Sequence, residues 1–453
     1  VIIESAYNPV MTNHAPALSN TLLASAYSLA DVESGRSLTE ALAHIPGDLR
    51  PSTQALAFYA MRHWGLARGL CGLLIQRTPA NPIVPALIGL SLVLLEAAMQ
   101  EGKHAVAAGT PVYTAHTLVD QSVVAMSSQR DLAPYKGMVN AVLRRFQRER
   151  VTLLAQLSQS LEVRWNHPAW WVHRLRKSYP DAWQAILEAS NTPPPLTLRV
   201  NTRRASVAIV SQALNKQGIT STAVGQSGLM VKAPRSITSL AGYQEGWWSV
   251  QDTGAQLAAP LLQLKDGMRV LDACAAPGGK AAHMLELADI ELTALDVDAQ
   301  RLQRVGLNFE RLGLMSERVS LLAADAADYL SWWDGMPYDA ILADVPCTAS
   351  GIVRRHPDIR WLRQEKDIDR MAKLQCNILD ALWSMLALQG KLLLVTCSVF
   401  TQEGEMQAQQ FLTRHSDAQR LDSPGQLLPQ ASEGDNTGDH DGFFYALFGR
   451  SGA

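Results

Sequence analysis

The chain is short of cysteine, with five in 453 residues, at positions 71, 274, 347, 376 and 397. They are too few and too scattered for a disulfide framework or a zinc module, and the odd count fits a reducing compartment, here the cytoplasm. An excess of either charge is also lacking. Forty Lys and Arg stand against 42 Asp and Glu, a formal charge of −2, so an anionic partner must be met by a local patch. No membrane-spanning run is visible. The most apolar stretch, 83–99, is interrupted by Pro85, Gly89, Ser91 and Glu96; it falls short of the roughly 20 apolar residues a span requires and reads as a buried helix. The opening VIIESAYNPVM has no basic region followed by an apolar core, so it does not read as a signal peptide. What is abundant is apolar material: 47% hydrophobic against 18% charged residues, which excludes a mostly disordered chain. At roughly 150 residues per domain, the length suggests about three domains.

The first third reads as helices. Leu22, Leu23, Ala26 and Leu29 recur at three and four. Ser37 followed by Glu40 has the spacing of a capping box. A last helix near 135–150 puts Val139, Val142, Leu143 and Phe146 on one stripe, and Lys136, Arg144, Arg145, Arg148 and Arg150 on the other face. From 136 to 177 there are nine Lys or Arg against two Glu, with Trp165, Trp170 and Trp171 interleaved. Such a run alone is more often a solvated helix face with core tryptophans. The functional alternative is a phosphate-tracking surface with aromatic platforms for RNA.

From about 151 to 255 the pattern is mixed. A helical HPAWWVHRLRKSYP (167–180) is followed by TPPPLTLRVNT (192–202), which breaks the helix and begins a strand. A helix at 205–217 and strands around 228–232 and 247–251 complete a small α+β module.

The last part alternates strands with helices: RVLDAC (269–274), LTALDVD (292–298), VSLLAAD (319–325), YDAILAD (338–344) and KLLLVTC (391–397). This is the pattern of βαβ units and a parallel, doubly wound sheet. Ligands of such sheets sit at the carboxyl ends of the strands. Asp272, Cys274, Asp296, Asp325, Asp344 and Cys397 all fall at those ends.

After the first of these strands comes CAAPGGK (274–280), whose Gly278 and Gly279 allow close backbone approach to a ligand. It is neither G-x-G-x-x-G nor a P-loop, since Ala281 follows Lys280 where a magnesium site needs a hydroxyl. Asp296 stands where a nucleotide site needs a carboxylate for ribose hydroxyls, and Asp325 would lie near an adenine edge. A nucleoside without a pyrophosphate fits, which points to S-adenosyl-L-methionine. Cys347 in ADVPCTASG and Cys397 in VTCSV then follow two neighbouring strands, beside Asp344. Those parts suit methylation of pyrimidine carbon 5. A thiolate adds at carbon 6 to make carbon 5 nucleophilic, and a carboxyl group at N3 takes up the developing charge. The base must be unpaired or flipped.

DACAAPGGK, DVPCTASG, VTCSV and DGFFYA (441–446), with LRVN (198–201), VQDTGAQ (250–256) and RRHPDIRWLR (354–363), resemble the RNA cytosine-5 methyltransferases of the RsmB/NOP superfamily. Within it the chain is most similar to the bacterial enzymes of 16S rRNA, from about residue 20 onward. The resemblance implies an all-α NusB-like RNA-binding domain over 20–150, a small α+β RNA-binding module over 151–255, and an α/β Rossmann-like S-adenosylmethionine-dependent methyltransferase domain over 256–453. It implies that Cys274, Ala275, Ala276, Pro277, Gly278, Gly279 and Lys280 surround the methionine part of the cofactor, with Asp296 on the ribose, Asp325 by the adenine and Asp344 bordering the donor. It also implies Cys397 as nucleophile, Cys347 as the residue assisting release, and Asp344 at cytosine N3. Lys280 reads as support for the turn and that carboxylate, with a general base as the alternative. Ala281, Ala282, Ala324 and Val345 depart from the family's usual pattern.

Beside the proposed site, Arg354, Arg355 and His356 are expected to contact RNA phosphates, as are Arg144, Arg145 and Arg148. EGDNTGDHDG (433–442) lacks an EF-hand spacing, so no metal is expected and it reads as a polar loop. The expected partner is 16S rRNA, naked or in an early assembly intermediate, met by a monomer. The rival readings are a tRNA cytosine-5 methyltransferase and a non-enzymatic RNA-binding assembly or antitermination factor; intact Asp344, Cys347 and Cys397 argue against the latter.

Overall fold

A computed structural model describes residues 16–100, 111–232, 237–431 and 438–451. The opening VIIESAYNPVM and residues 433–437 of the acidic stretch lie outside the described residues. The chain forms two compact units, Val1–Pro168 and Ala169–Ala453.

In the first unit every regular element among the described residues is helical. The capping box forms as its spacing predicts: Ser37 Oγ accepts from the Glu40 amide at 3.3 Å, and the Ser37 amide donates to Glu40 at 3.4 Å. The apolar stretch is the helix Ile83–Gln100. It is long and apolar enough to cross a membrane by length and composition, yet most of it is buried within this unit. Its polar residues are answered there, Ser91 by Ser122 at 2.9 Å and Glu96 by Arg150 through two bonds of 2.5 and 2.6 Å. The helix Lys136–Leu157 buries Val139, Val142, Leu143 and Phe146, the stripe read from the sequence. It runs without a break through residues 150 and 151, where a domain boundary was expected.

The second unit begins with the helices Ala169–Ser178 and Trp183–Asn191. A small antiparallel sheet follows, of β1 (Leu196–Val200), β2 (Thr220–Val224), β3 (Gly228–Lys232) and β4 (Trp248–Val250), in the order β2-β3-β1-β4. Leu198, Val210, Leu214 and Trp248 form its core against the helix Val207–Lys216. β2 is an addition to the sequence reading. Its run TSTAV has no apolar alternation, because as an edge strand it buries only Val224 fully.

A seven-stranded sheet completes the unit: β5 (Arg269–Asp272), β6 (Glu291–Asp296), β7 (Val319–Ala323), β8 (Tyr338–Asp344), β9 (Leu386–Thr396), β10 (Ala418–Leu427) and β11 (Phe443–Arg450). Its order is β10-β11-β9-β8-β5-β6-β7. β5 to β9 pair in parallel, as expected. β11 runs antiparallel to β9 and β10 antiparallel to β11, so the sheet is mixed rather than wholly parallel. The parallel strands are apolar on both faces because helices cover both; Leu392, Leu393, Leu394 and Val395 are all fully buried. After β5 the chain builds outward through β6 and β7, then returns to place β8 on the other side of β5. That reversal opens a crevice at the carboxyl ends of β5 and β8.

Candidate active site

A cavity of about 490 Å³ occupies this crevice, and Cys274, Asp296, Asp325, Asp344, Cys347 and Cys397 all line it. Of the remaining residues of the turn, Ala276 and Pro277 also face it. Ala275 is tied behind them by its amide to the Leu295 carbonyl at 2.8 Å. Gly278 has φ +93°, and a Cβ there would meet Val305 at 2.9 Å, so both the turn and the packing of the next helix require glycine. Gly279 opens the helix Gly279–Leu287.

Asp296 is buried at the end of β6. It accepts from the Ala276 amide at 3.1 Å and the Asp298 amide at 3.0 Å, which fixes the cofactor turn against the next strand. Arg301, which the sequence reading passed over, donates to the Ala276 carbonyl at 2.9 Å and also lines the cavity. Asp325 is exposed at the rim, its carboxylate accepting from the Ala327 amide at 2.9 Å. Asp272 does not reach the cavity wall. It is buried beneath it, and burial together with the nearby Asp344 charge pushes its carboxyl up to about 7.

Two thiols and a carboxylate also line the cavity. Cys347, in the loop after β8, and Cys397, directly after β9, bring their sulfurs to 3.4 Å. Lys280 Nζ donates to Asp344 Oδ2 at 2.5 Å. Burial works against the Lys280 ammonium, but the Asp344 carboxylate outweighs it and raises its pKa, which favours the charged group. The bond to Cys397, then burial, hold the Cys347 proton on well above the usual thiol range. Cys274 also stays protonated, chiefly through burial. The two neighbouring turns are sewn together by backbone, with the Gly351 amide donating to the Cys397 carbonyl at 2.8 Å.

Two of the expected RNA contacts, Arg354 and Arg355, are corrected. Arg354 is 1% exposed and bonded to the Gln430 carbonyl at 2.9 Å and to Asp439 at 3.3 Å. Arg355 is spent on Asp441 at 2.5 Å and Asp252 at 2.6 Å. His356 is half-buried, and desolvation lowers its pKa, so it is neutral at pH 7. The two arginines lock RRHPDIRWLR to VQDTGAQ and DGFFYA instead of offering charge to phosphate. Arg144 and Arg148 are exposed, while Arg145 pairs with Glu149 at 2.9 Å. The interleaved tryptophans are mostly core: Trp165 and Trp171 are buried, and half-buried Trp170 lies 5.9 Å from the Phe400 ring.

Arg199, within LRVN, is a further residue whose place was not foreseen. It is fully buried, bonds Glu286 through two contacts of 2.8 Å, and donates to the Gly279 carbonyl at 2.7 Å.

The model of the 16S rRNA methyltransferase RsmB/F family matches residues 259–449, and that of the RsmF/B-like ferredoxin-like domain matches residues 167–238. Over 330 residues the chain is 42% identical to ribosomal RNA small subunit methyltransferase B of Pseudomonas syringae pv. tomato, covering 69% of this chain and 72% of that protein. The crystal structure of PH0851 shares the fold at a TM-score of 0.76 and 24% identity, over 96% of this chain and 99% of that one. NSun6 from Pyrococcus horikoshii, solved with SFG, shares it at a TM-score of 0.54 and 20% identity, over 63% of this chain and 99% of that one.

Proposed function

This chain belongs to the 16S rRNA methyltransferase RsmB/F family, and from that premise we propose that it methylates carbon 5 of a specific cytosine in 16S rRNA through a covalent Cys397–cytosine adduct. The observation that carries the reading is the pair of thiols 3.4 Å apart with Asp344 on the wall of the same cavity, Asp344 being ion-paired to Lys280.

The residues fit S-adenosyl-L-methionine. Cys274, Ala276 and Pro277 of the turn present a small-residue wall, Asp296 stands at the strand end suited to ribose hydroxyls, and Asp325 at the rim would border the adenine. When bound, the cofactor supplies an electrophilic methyl group. Cys397 Sγ, as thiolate, attacks carbon 6 of the flipped cytosine. Asp344 stands at N3 and passes to it a proton drawn from the Lys280 ammonium, which neutralises the negative charge that the thiolate brings to the ring and leaves carbon 5 electron-rich toward the methyl; the proton returns the same way when the adduct breaks down. Loss of the carbon 5 proton to a base then re-forms the ring double bond, and the carbon 6–sulfur bond breaks with its electron pair returning to Cys397. Cys347 keeps its proton under these conditions and donates a hydrogen bond to the departing thiolate. Cys347 suits that role because its contact with Cys397 and its burial hold its proton on.

The all-α unit is read as a NusB-like RNA-binding domain, with Arg144 and Arg148 on its exposed surface toward phosphate. The α+β module is read as a second RNA-binding surface. The enzyme works in the cytoplasm as a monomer, on naked 16S rRNA or an early assembly intermediate. The test is to incubate purified protein with methyl-labelled cofactor and unmodified 16S rRNA and to identify the labelled nucleoside. 5-Methylcytidine at a single position supports the reading; label in another nucleoside overturns it.

A further inference from the structure

Glu403 lies in the short turn Thr401–Glu403 after β9 and is fully buried. Its two carboxylate oxygens bind the residues that directly follow the two cysteines. Oε1 accepts from the Thr348 amide at 2.7 Å, and Oε2 accepts from the Thr348 hydroxyl at 2.5 Å and the Ser398 hydroxyl at 2.6 Å. The Ser398 hydroxyl, its proton committed to Glu403, accepts from the Phe400 amide at 3.1 Å and from Ser350, which in turn accepts from the Val399 amide at 2.9 Å. Thr348, Ser350 and Ser398 are buried as well.

A buried carboxylate is costly, since taking it out of water is repaid only by strong hydrogen bonds or a partner charge. Packing alone would be served by an apolar side chain. The nearest cation is Arg363, whose Nε donates to the Thr348 carbonyl at 3.0 Å, so it belongs to the same cluster. Three close donors come from the two cysteine segments, 50 residues apart, and a fourth, Gln375 Nε2, reaches Oε1 at 3.5 Å from the helix Lys366–Ser384. A carboxylate accepts all four, whereas an amide would turn its own N–H groups against at least one of them.

We propose that Glu403 is the positioning residue of the reaction, clamping the Cys347 and Cys397 turns so that the two sulfurs stay in contact for release of the methylated base. The inference rests on the roles given above to Cys397 and Cys347. Glu403 does not touch substrate; it acts through Thr348 on one cysteine and through Ser398 on the other. Because the clamp has two arms, each arm has its own kinetic signature. Loosening the Thr348 arm displaces Cys347 and slows release, whereas loosening the Ser398 arm displaces Cys397 and slows attack.

The experiment compares Glu403→Gln, Thr348→Val and Ser398→Ala with the unaltered chain, using unmodified 16S rRNA and labelled cofactor. It reads turnover, the fraction of RNA held in a denaturation-resistant adduct, and cofactor affinity as a check on folding. Glu403→Gln is expected to bind cofactor normally and to lose about a hundredfold in turnover, the scale on which misplaced reacting groups act. Thr348→Val, which keeps side-chain volume, is expected to accumulate adduct, and Ser398→Ala to turn over slowly without accumulating it. If Glu403→Gln does not fold, the two single-arm variants decide. Overturning results are normal turnover in Glu403→Gln, or equal losses in the two arm variants with no difference in adduct. Cys347→Ala in the same assay separates the failures. If it traps RNA while Thr348→Val does not, the clamp is refuted and the cysteine roles stand; if it does not trap RNA, the release role itself is refuted.

Discussion

Arg199 of the small antiparallel sheet donates to the carbonyl of Gly279 at 2.7 Å, so the module ahead of the catalytic sheet holds the cofactor turn directly. The same guanidinium is fully buried against Glu286. Arg199→Met leaves that carboxylate buried without its partner and should cost about 3–5 kcal/mol of unfolding free energy, read from denaturant midpoints. Arg199→Met with Glu286→Leu should recover most of the stability. It should not recover cofactor affinity, because the Gly279 contact stays lost; full recovery of both would show that Arg199 has no hold on the turn.

Asp272 gives a pH signature of its own. Its carboxyl is pushed up to about 7 by burial first and by Asp344 second, and one of its oxygens has no hydrogen-bond partner. The folded state therefore holds a proton that the unfolded chain has already released above its ordinary carboxylate pKa. Its contribution to stability is complete below about pH 4 and is lost as pH rises to about 7, with a slope of up to about 1.4 kcal/mol per pH unit. Urea unfolding between pH 4 and 8 should show Asp272→Asn gaining on the unaltered chain as pH rises. A constant difference between the two contradicts this.

Charge reversal at Arg144 and Arg148 should weaken RNA binding uniformly across sequences and flatten its salt dependence, by roughly 0.7 in log–log slope for each lost single-strand phosphate contact. Arg145 should matter less, because Glu149 already engages it. Filter binding across a salt series checks both statements, and an unchanged slope assigns this helix face to water.

Cys347→Ala should form the adduct and fail to release it, giving a protein–RNA species that survives denaturing gels. Its absence removes the release role from Cys347.

Much of the catalytic half was legible because the chemistry-bearing residues coincide with strand ends, and short apolar runs giving way to helical spacing mark those ends in the sequence. The edge strands were harder. β10 carries Pro424 and Gly425 and a register shift between Leu421 and Gly425, features that argue against a central strand and are tolerated only at an edge. Arg354 and Arg355 misled for a different reason: a sequence displays charge but not its partner, and Asp439 and Asp441 lie more than 80 residues further on. Glu403 carried no signal at all. The first of two Glu in TQEGE becomes informative only when folding brings Thr348 and Ser398 to it.

The most direct test replaces cytidine in the 16S rRNA substrate with 5-fluorocytidine, whose carbon 5 has no proton to lose after methyl transfer, so the adduct cannot resolve. Digestion and mass spectrometry then locate the attached nucleotide. Cys347 and Cys397 fall on separate tryptic peptides, since Arg354, Arg355, Lys373 and Lys391 lie between them. The account predicts the nucleotide on the peptide carrying Cys397. Attachment to the peptide carrying Cys347 would contradict it.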